Sequence, residues 1–400
     1  MDQIGNYVIY VIMACALAGA IASIIDQEKG LGKEFLDGIY SIGPIFVPVA
    51  GIMASIPYLS KVISALFGPV FAGVGADPAI AATTIIAVDM GGYQLAKQLA
   101  ATPESWIMAM MVGVMAGSTI VFSIPVGLTM LDRRDHPYFA LGAMAGILSI
   151  PIGVLVASLL ISNGAPMIRG DISTNAEAAT ALALSTSTII ANLIPLVVFC
   201  VVLALGLRQS PDMMIKGFLW FGWLMTAALR LVLVCAIIEY FTGVFTKVLG
   251  SWGFDPIIAD ANDQFRALEI AGYIGIMLSG AFPMVYLINK YLSKPLEVVG
   301  HWIGIHAKGT AGLLAAAANI LAMFHLIRGM DPKEKVLCIA FAVCGAFMFG
   351  DHLAFTANFQ PTLIPYIMAG KLSGGIAGFL LAYWLSVPRA EELARQPQEA

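Results

Sequence analysis

Ile85-Ile86-Ala87-Val88-Asp89-Met90-Gly91-Gly92 and Phe347-Met348-Phe349-Gly350-Asp351-His352-Leu353 each hold one carboxylate inside a long apolar stretch, directly beside glycine. An ionised carboxylate at bilayer depth is costly, so a chain that keeps one turns it toward a cavity, a cation or a proton path. A neighbouring glycine lets the helix loosen and lets a ligand approach the backbone closely. The two stretches therefore predict broken membrane helices built around a polar site, with Gly91, Gly92 and Gly350 at the breaks.

The rest of the chain has the same solvent. Of 400 residues, 59% are hydrophobic and only 12% charged, with mean hydropathy +0.87; a soluble domain carries roughly 25% charged residues. Apolar runs approaching the length of a bilayer crossing, about 20 residues, occur at 6–25, 40–57, 78–101, 105–130, 137–162, 180–207, 214–245, 267–289, 309–327, 335–358 and 363–386. The expected fold is all-α: a polytopic helical membrane protein of about 10–12 transmembrane segments in one membrane domain, 1–400. A polar tail begins at Pro388. The net charge of −4 offers no basic face for nucleic acid. The five cysteines lie in apolar segments without C-x-x-C spacing, and no two histidines are four apart. No cofactor and no metal site are expected. Ala18-Gly19-Ala20 resembles a signal cleavage site, yet no Lys or Arg precedes the apolar run, which continues to Ile25; the first span is expected to stay uncleaved.

The two halves echo each other. Tyr58-Leu59-Ser60-Lys61 recurs as Tyr291-Leu292-Ser293-Lys294, a displacement of 233. Met115, Gly117 and Phe122 match Met348, Gly350 and Phe355 at the same displacement, and Pro137-Tyr138 with Gly142 and Gly146 matches Pro365-Tyr366 with Gly370 and Gly374. This predicts repeat one over about 1–163, a connecting segment over about 164–212 and repeat two over about 213–387. Secondary transporters carry such weak internal symmetry, with their site between the repeats. Arg133 and Arg134 make one loop basic while its counterpart, Phe359 to Thr362, is neutral; Arg328, Lys333 and Lys335 make the reverse pair. If basic loops face the cytoplasm, the repeats are inverted. Eleven spans would make them parallel, so one segment is miscounted, with 214–245 the suspect, because it contains Arg230 and Glu239. Ten or twelve crossings with both termini cytoplasmic would reconcile the two.

Asp89 is followed by Tyr93 and Gln94, a carboxylate, an aromatic hydroxyl and an amide within about one and a half turns. Such a set suits a small organic cation with a hydroxyl group, although Asp89 capping its own helix break would explain it too. Asp351 and His352 can bind a cation, relay a proton or bridge helices. Asn319, Ser118 and Thr119 are polar at membrane depth and either line the site or join helices. Lys371 interrupts an apolar stretch and either pairs a carboxylate or snorkels to the interface.

Several blocks together resemble the ethanolamine-utilization permease family (EutH type). They are Asp89-Met90-Gly91-Gly92 with Leu95-Ala96-Lys97, Gly117-x-Thr119-Ile120-Val121-Phe122-Ser123-Ile124-Pro125, Gly350-Asp351-His352-Leu353 and Gly370-Lys371-Leu372-x-Gly374-Gly375. Arg266-Ala267-x-Glu269 and Gly280-Ala281-x-Pro283-Met284-Val285 belong to the same set, and the likeness runs from the first span to the last. The resemblance implies import of ethanolamine across a bacterial cytoplasmic (inner) membrane. A primary alkylammonium, with a pKa near lysine's of about 10.4, is mostly charged at neutral pH and crosses hydrocarbon poorly. Asp89, Tyr93, Gln94, Ser118, Thr119, Asn319, Asp351 and His352 are the expected substrate-binding residues. A coupling ion, H+ through Asp351 and His352 or Na+ on carbonyls freed near Gly91 and Gly350, is open. So are transport of another small amine or a neutral solute, and an intramembrane aspartyl protease. Against the protease, residue 348 is Met, so the Gly-x-Gly-Asp pattern is absent.

Overall fold

The computed structural model describes residues 2–302 and 304–395. The chain opens with α1 (Asp2–Ile25), α2 (Gly30–Tyr40), α3 (Ile42–Ala54) and α4 (Ile56–Gly73). Ser41 and Ser55 separate the last three, and each hydroxyl turns back on its own helix, to Gly38 and Gly51. Such back-bonding bends helices. α2 and α3 therefore make one bent crossing.

Two short helices follow, α5 (Ala79–Ile85) and α6 (Gly92–Leu99), joined by a 3₁₀ turn at Val88–Met90. They do not continue one another. The Asp77 carboxylate accepts the N–H of Ala79 on one oxygen and that of Ala101 on the other, both at 2.9 Å. One side chain thus ties the start of α5 to the exit of α6, making a re-entrant hairpin, hairpin 1. Its tip is set by Gly91, whose φ of +94° and contact with Ile52 admit no side chain.

α7 (Pro103–Val112) passes into two π-helical turns, Gly113–Gly117 and Thr119–Ser123, and resumes as α8 (Ile124–Met130). α9 (His136–Gly164) returns. After a loop with one short antiparallel pair, β1 (Met167–Ile168) and β2 (Thr180–Ala181), come α10 (Thr186–Gln209), α11 (Pro211–Thr242), α12 (Val244–Leu249) and α13 (Ala267–Trp302).

A second hairpin follows, α14 (Ala307–Ala318) and α15 (Ile320–Ile327), broken only by extended Asn319. Its two ends also meet, because Lys308 reaches Gly329 and Met330 packs on Gly312. Glu334, which caps the N-terminus of α16 (Pro332–Gly345), accepts the N–H of His306 at 2.6 Å. α17 (Asp351–Phe359), α18 (Ile364–Leu385) and α19 (Val387–Arg395) complete the chain.

The ends of α9 define two faces. Where it begins, Asp135 pairs with Lys335 at 2.6 Å and Asp132 with Arg328 at 3.3 Å, so hairpin 2 is rooted at that face. Where α9 ends lie the 165–185 loop, Gln360 and the base of hairpin 1, fixed by the Asp77 N–H to Asn192 Oδ1. The hairpins enter from opposite faces. α7–α8 and α16–α17 likewise run in opposite directions.

This geometry corrects the expected topology. The runs 78–101 and 309–327 do not cross but turn back, since their ends are tied together. The segment suspected of miscounting, 214–245, is one continuous helix, Pro211–Thr242. Among the described residues nine helices are long and apolar enough to cross a membrane, α4 among them. Yet α4 starts beside Trp252 and Phe254 and ends just before Asp77, so both its ends lie at the hairpin 1 face. It runs along the bundle. With α16–α17 crossing as a broken pair, the number of crossings is odd. Gly5 accordingly packs on the Pro361 carbonyl at one face, while Ser386 bonds the Leu141 carbonyl toward the other. The first and last described helices, α1 and α19, therefore bring the two ends of the described chain to opposite faces, not together.

α2–α3 and α13 cross at the centre through small residues, with Gly38 against the Ser279 backbone and Gly275 against Ile42. Ile42 and Gly275 are themselves 233 apart, the same displacement as the sequence echoes.

Candidate functional site: a two-carboxylate cavity at the hairpin tips

Both hairpin tips dock against the break of a crossing helix. A Cβ at Gly117 would stand 2.4 Å from the Ile86 carbonyl oxygen of hairpin 1, and one at Gly350 would stand 2.3 Å from the Ala318 carbonyl oxygen of hairpin 2. Only glycine permits either approach. At the second junction the Phe347 and Phe349 N–H groups also donate to the Ala316 and Ala317 carbonyls at 3.1 and 2.8 Å. Those carbonyls end α14 and would otherwise lack partners. Phe347 is held at a φ of +59°, a conformation that L-residues other than Asn and Asp seldom adopt.

A cavity of about 230 Å³ lies where these junctions meet α3 and α13. Asp89, Ser118, Asn319 and Asp351 line it, one residue from each tip and each break. Ser41, Pro44, Ile45 and Pro48 close one side; Met90, Phe122, Phe282, Leu321 and Phe347 supply the remaining apolar walls. Asp351 opens α17, where the helix N-terminus favours a negative charge. Asp89 sits in the tip of hairpin 1 with its side chain 14% exposed, and its buried Oδ1 has no hydrogen-bond partner among the described residues. A wider cavity of about 550 Å³, lined by α8 and α11 and including Arg230, adjoins it at Pro44, Pro48, Met90 and Phe122.

The other expected site residues lie behind the walls. His352 is fully buried, 3.9 Å from Asp89 through Nε2, with neither ring nitrogen hydrogen-bonded among the described residues. The Thr119 hydroxyl donates to the Val343 carbonyl at 2.8 Å, joining the widened helix to the end of α16. Tyr93 is enclosed by Trp106, Phe355 and Phe359, and its hydroxyl accepts from Gln360 Nε2 at 2.9 Å. Gln94 is buried, and its amide has no partner among the described residues. Tyr93 thus braces hairpin 1 against α17. Truncating a fully buried aromatic costs about 3–5 kcal/mol. Tyr93→Ala should therefore lower the thermal unfolding temperature markedly, while Tyr93→Phe should leave the concentration dependence of transport unchanged. A raised KM in Tyr93→Phe would instead make the hydroxyl a ligand.

Sequence reading passed over Ser41, Phe282 and Phe347 as walls. Nothing local marks them, because a cavity-facing phenylalanine and a lipid-facing one look alike. Lys371 does not snorkel: it is fully buried, and Nζ donates to the Val114 carbonyl at 2.7 Å.

The family model described as "Ethanolamine utilisation protein, EutH" matches residues 4–385. The chain belongs to this family. It is 35% identical to a Listeria monocytogenes protein named "Probable ethanolamine permease EutH", over 96% of this chain and 95% of that protein. An Escherichia coli K12 protein of the same name is 33% identical, with 99% and 98% covered. A Bacillus subtilis relative named "Uncharacterized protein YxeR" is 32% identical over 96% and 95%. No solved structure matches the chain. A permease family and a bundle of apolar helices make this a multi-pass membrane transporter and not an enzyme.

Proposed function

We propose that the chain carries ethanolamine, as its ammonium form, across the bacterial cytoplasmic membrane by alternating access or facilitated diffusion. The observation that carries this reading is the shared cavity, in which two carboxylates and two neutral hydrogen-bonding side chains converge at membrane depth. At about 230 Å³ it is smaller than the roughly 300–1,000 Å³ of drug-sized pockets. It suits a molecule of a few heavy atoms. Asp89 and Asp351 balance the ammonium, and Ser118 and Asn319 offer partners to the hydroxyl end. The apolar walls keep the ion pairs out of bulk water, which strengthens them.

The two halves act as inverted repeats, with the site between them. Lys29, Lys33, Arg133, Arg134, Arg208, Lys216, Arg328 and Lys333 collect at the hairpin 2 face, outnumbering Lys61, Lys97, Arg169, Lys247 and Arg266 at the hairpin 1 face. The hairpin 2 face is then cytoplasmic, with the C-terminus inside and the N-terminus outside. Purified protein in liposomes should take up labelled ethanolamine faster than protein-free liposomes, with small primary amines competing and neutral diols not. Uptake at the protein-free rate sinks the reading; equal competition by neutral diols would assign the cavity to an uncharged solute.

A further inference from the structure

Lys371 stands on α18, which contributes no wall to the cavity, yet its side chain is sealed in the protein core. A buried cation in a membrane bundle is kept where it balances charge, because alone it is expensive. Its Nζ is anchored to the Val114 carbonyl, in the first π-helical turn and four residues before Ser118 of the cavity. The turn that anchors it packs on hairpin 1 beside Asp89, with Gly113 against Val88 and Gly117 against the Ile86 carbonyl. Among the described residues, the charged or titratable groups in and behind the cavity wall include Asp89 on hairpin 1, Asp351 and His352 on α17, and Lys371 on α18, with Arg230 of α11 lining only the adjoining space.

Two carboxylates would accommodate two positive charges. One of those places is already filled from behind. We propose that Lys371 is a fixed counter-cation that limits the cavity to a single positive charge, so that it accepts a small monoammonium and rejects a diammonium of similar length. This rests on the cavity being an ammonium site. The anchoring bond matters, because a lysine held by a backbone carbonyl adds its charge without entering the space the substrate needs. Selectivity against dications then comes from a repulsive element rather than from a tighter fit.

The test is competition against labelled ethanolamine uptake in proteoliposomes, with ethylamine as the monoammonium and 1,3-diaminopropane as the diammonium. The wild type should favour ethylamine. Lys371→Gln should shift the ratio toward the diamine by about tenfold or more, as expected for one charge removed from a low-dielectric site, and Lys371→Arg should keep the wild-type ratio. Lys371→Gln combined with Asp351→Asn restores one net negative charge and should bring the ratio back, read there by thermal shift with the two amines because Asp351→Asn removes most uptake. An unchanged ratio in Lys371→Gln overturns the proposal. If that variant inserts poorly, recovery of insertion and of the monoammonium preference in the double variant supports it, and failure to recover either overturns it. Wild-type protein that carries no ethanolamine would remove the ammonium site itself. Thermal shifts with the same two amines then decide the charge limit separately, their ratio changing in Lys371→Gln or overturning it.

Discussion

Asp89→Asn should abolish most transport while leaving the protein inserted and folded. The change keeps the shape of the side chain and removes its charge. Asp89 Oδ1 carries no structural hydrogen bond among the described residues, so the hairpin tip loses little. What it loses is a charge-assisted contact with an ammonium, worth about 1.5–3 kcal/mol, or roughly 10- to 150-fold in affinity. Uptake of labelled ethanolamine at low concentration should fall by that factor, with membrane-inserted protein measured on the same samples. Wild-type uptake by the variant would take Asp89 out of the site. Asp351→Asn should fall at least as far, because it also removes a carboxylate from a helix N-terminus.

Gly350→Ala should be among the most damaging single methyls in the chain. The added carbon would stand 2.3 Å from the Ala318 carbonyl oxygen, inside any permitted contact. That oxygen belongs to the backbone at the tip of hairpin 2 and cannot rotate away as a side chain would. The tip must shift, and it takes with it the backbone bonds from Phe347 and Phe349. Overpacking typically costs about 1–3 kcal/mol, to which about 0.5–1.5 kcal/mol is added for each hydrogen bond lost. Gly117→Ala meets the Ile86 carbonyl in the same way, though no backbone bond between tip and break is lost there. Hydrogen exchange over residues 307–327 should rise in Gly350→Ala, and over residues 79–99 in Gly117→Ala. Exchange that stays at the wild-type level would show that the tips are not held by these contacts.

Part of the candidate cavity could be read in the chain before any fold was known, and the reason is energetic. Asp89 and Asp351 stand out because a carboxylate among Ile, Val, Phe and Met has no cheap explanation, whereas Ser41 or Phe282 has many. Crossing helices were legible wherever the apolar run is long, as in 137–162, which the structure holds within one helix from His136 to Gly164. The hairpins were not legible. A run such as 78–101 has the length and composition of a crossing segment, and what turns it back is tertiary: one carboxylate, Asp77, bonded to both of its ends. Glu334 does the comparable work for 309–327. The charge pattern in the loops asks for basic ends on one face, but it does not say which apolar runs turn back. The error was in which segments failed to cross, since Arg230 and Glu239 drew suspicion to a helix that proved continuous.

The two tips carry different chemistry, and this makes the two exits from the cavity unequal. An opening that withdraws hairpin 1 toward its own face takes Asp89 with it and leaves the ammonium with Asp351 alone. An opening that withdraws hairpin 2 removes only Asn319, and both carboxylates stay behind. On the proposed reading, a substrate leaving through the first route would be half released by the motion itself, while one leaving through the second would have to break both ion pairs unaided. A carrier of the proposed kind that opened by withdrawing its hairpins would therefore bind weakly on one side of the membrane and strongly on the other.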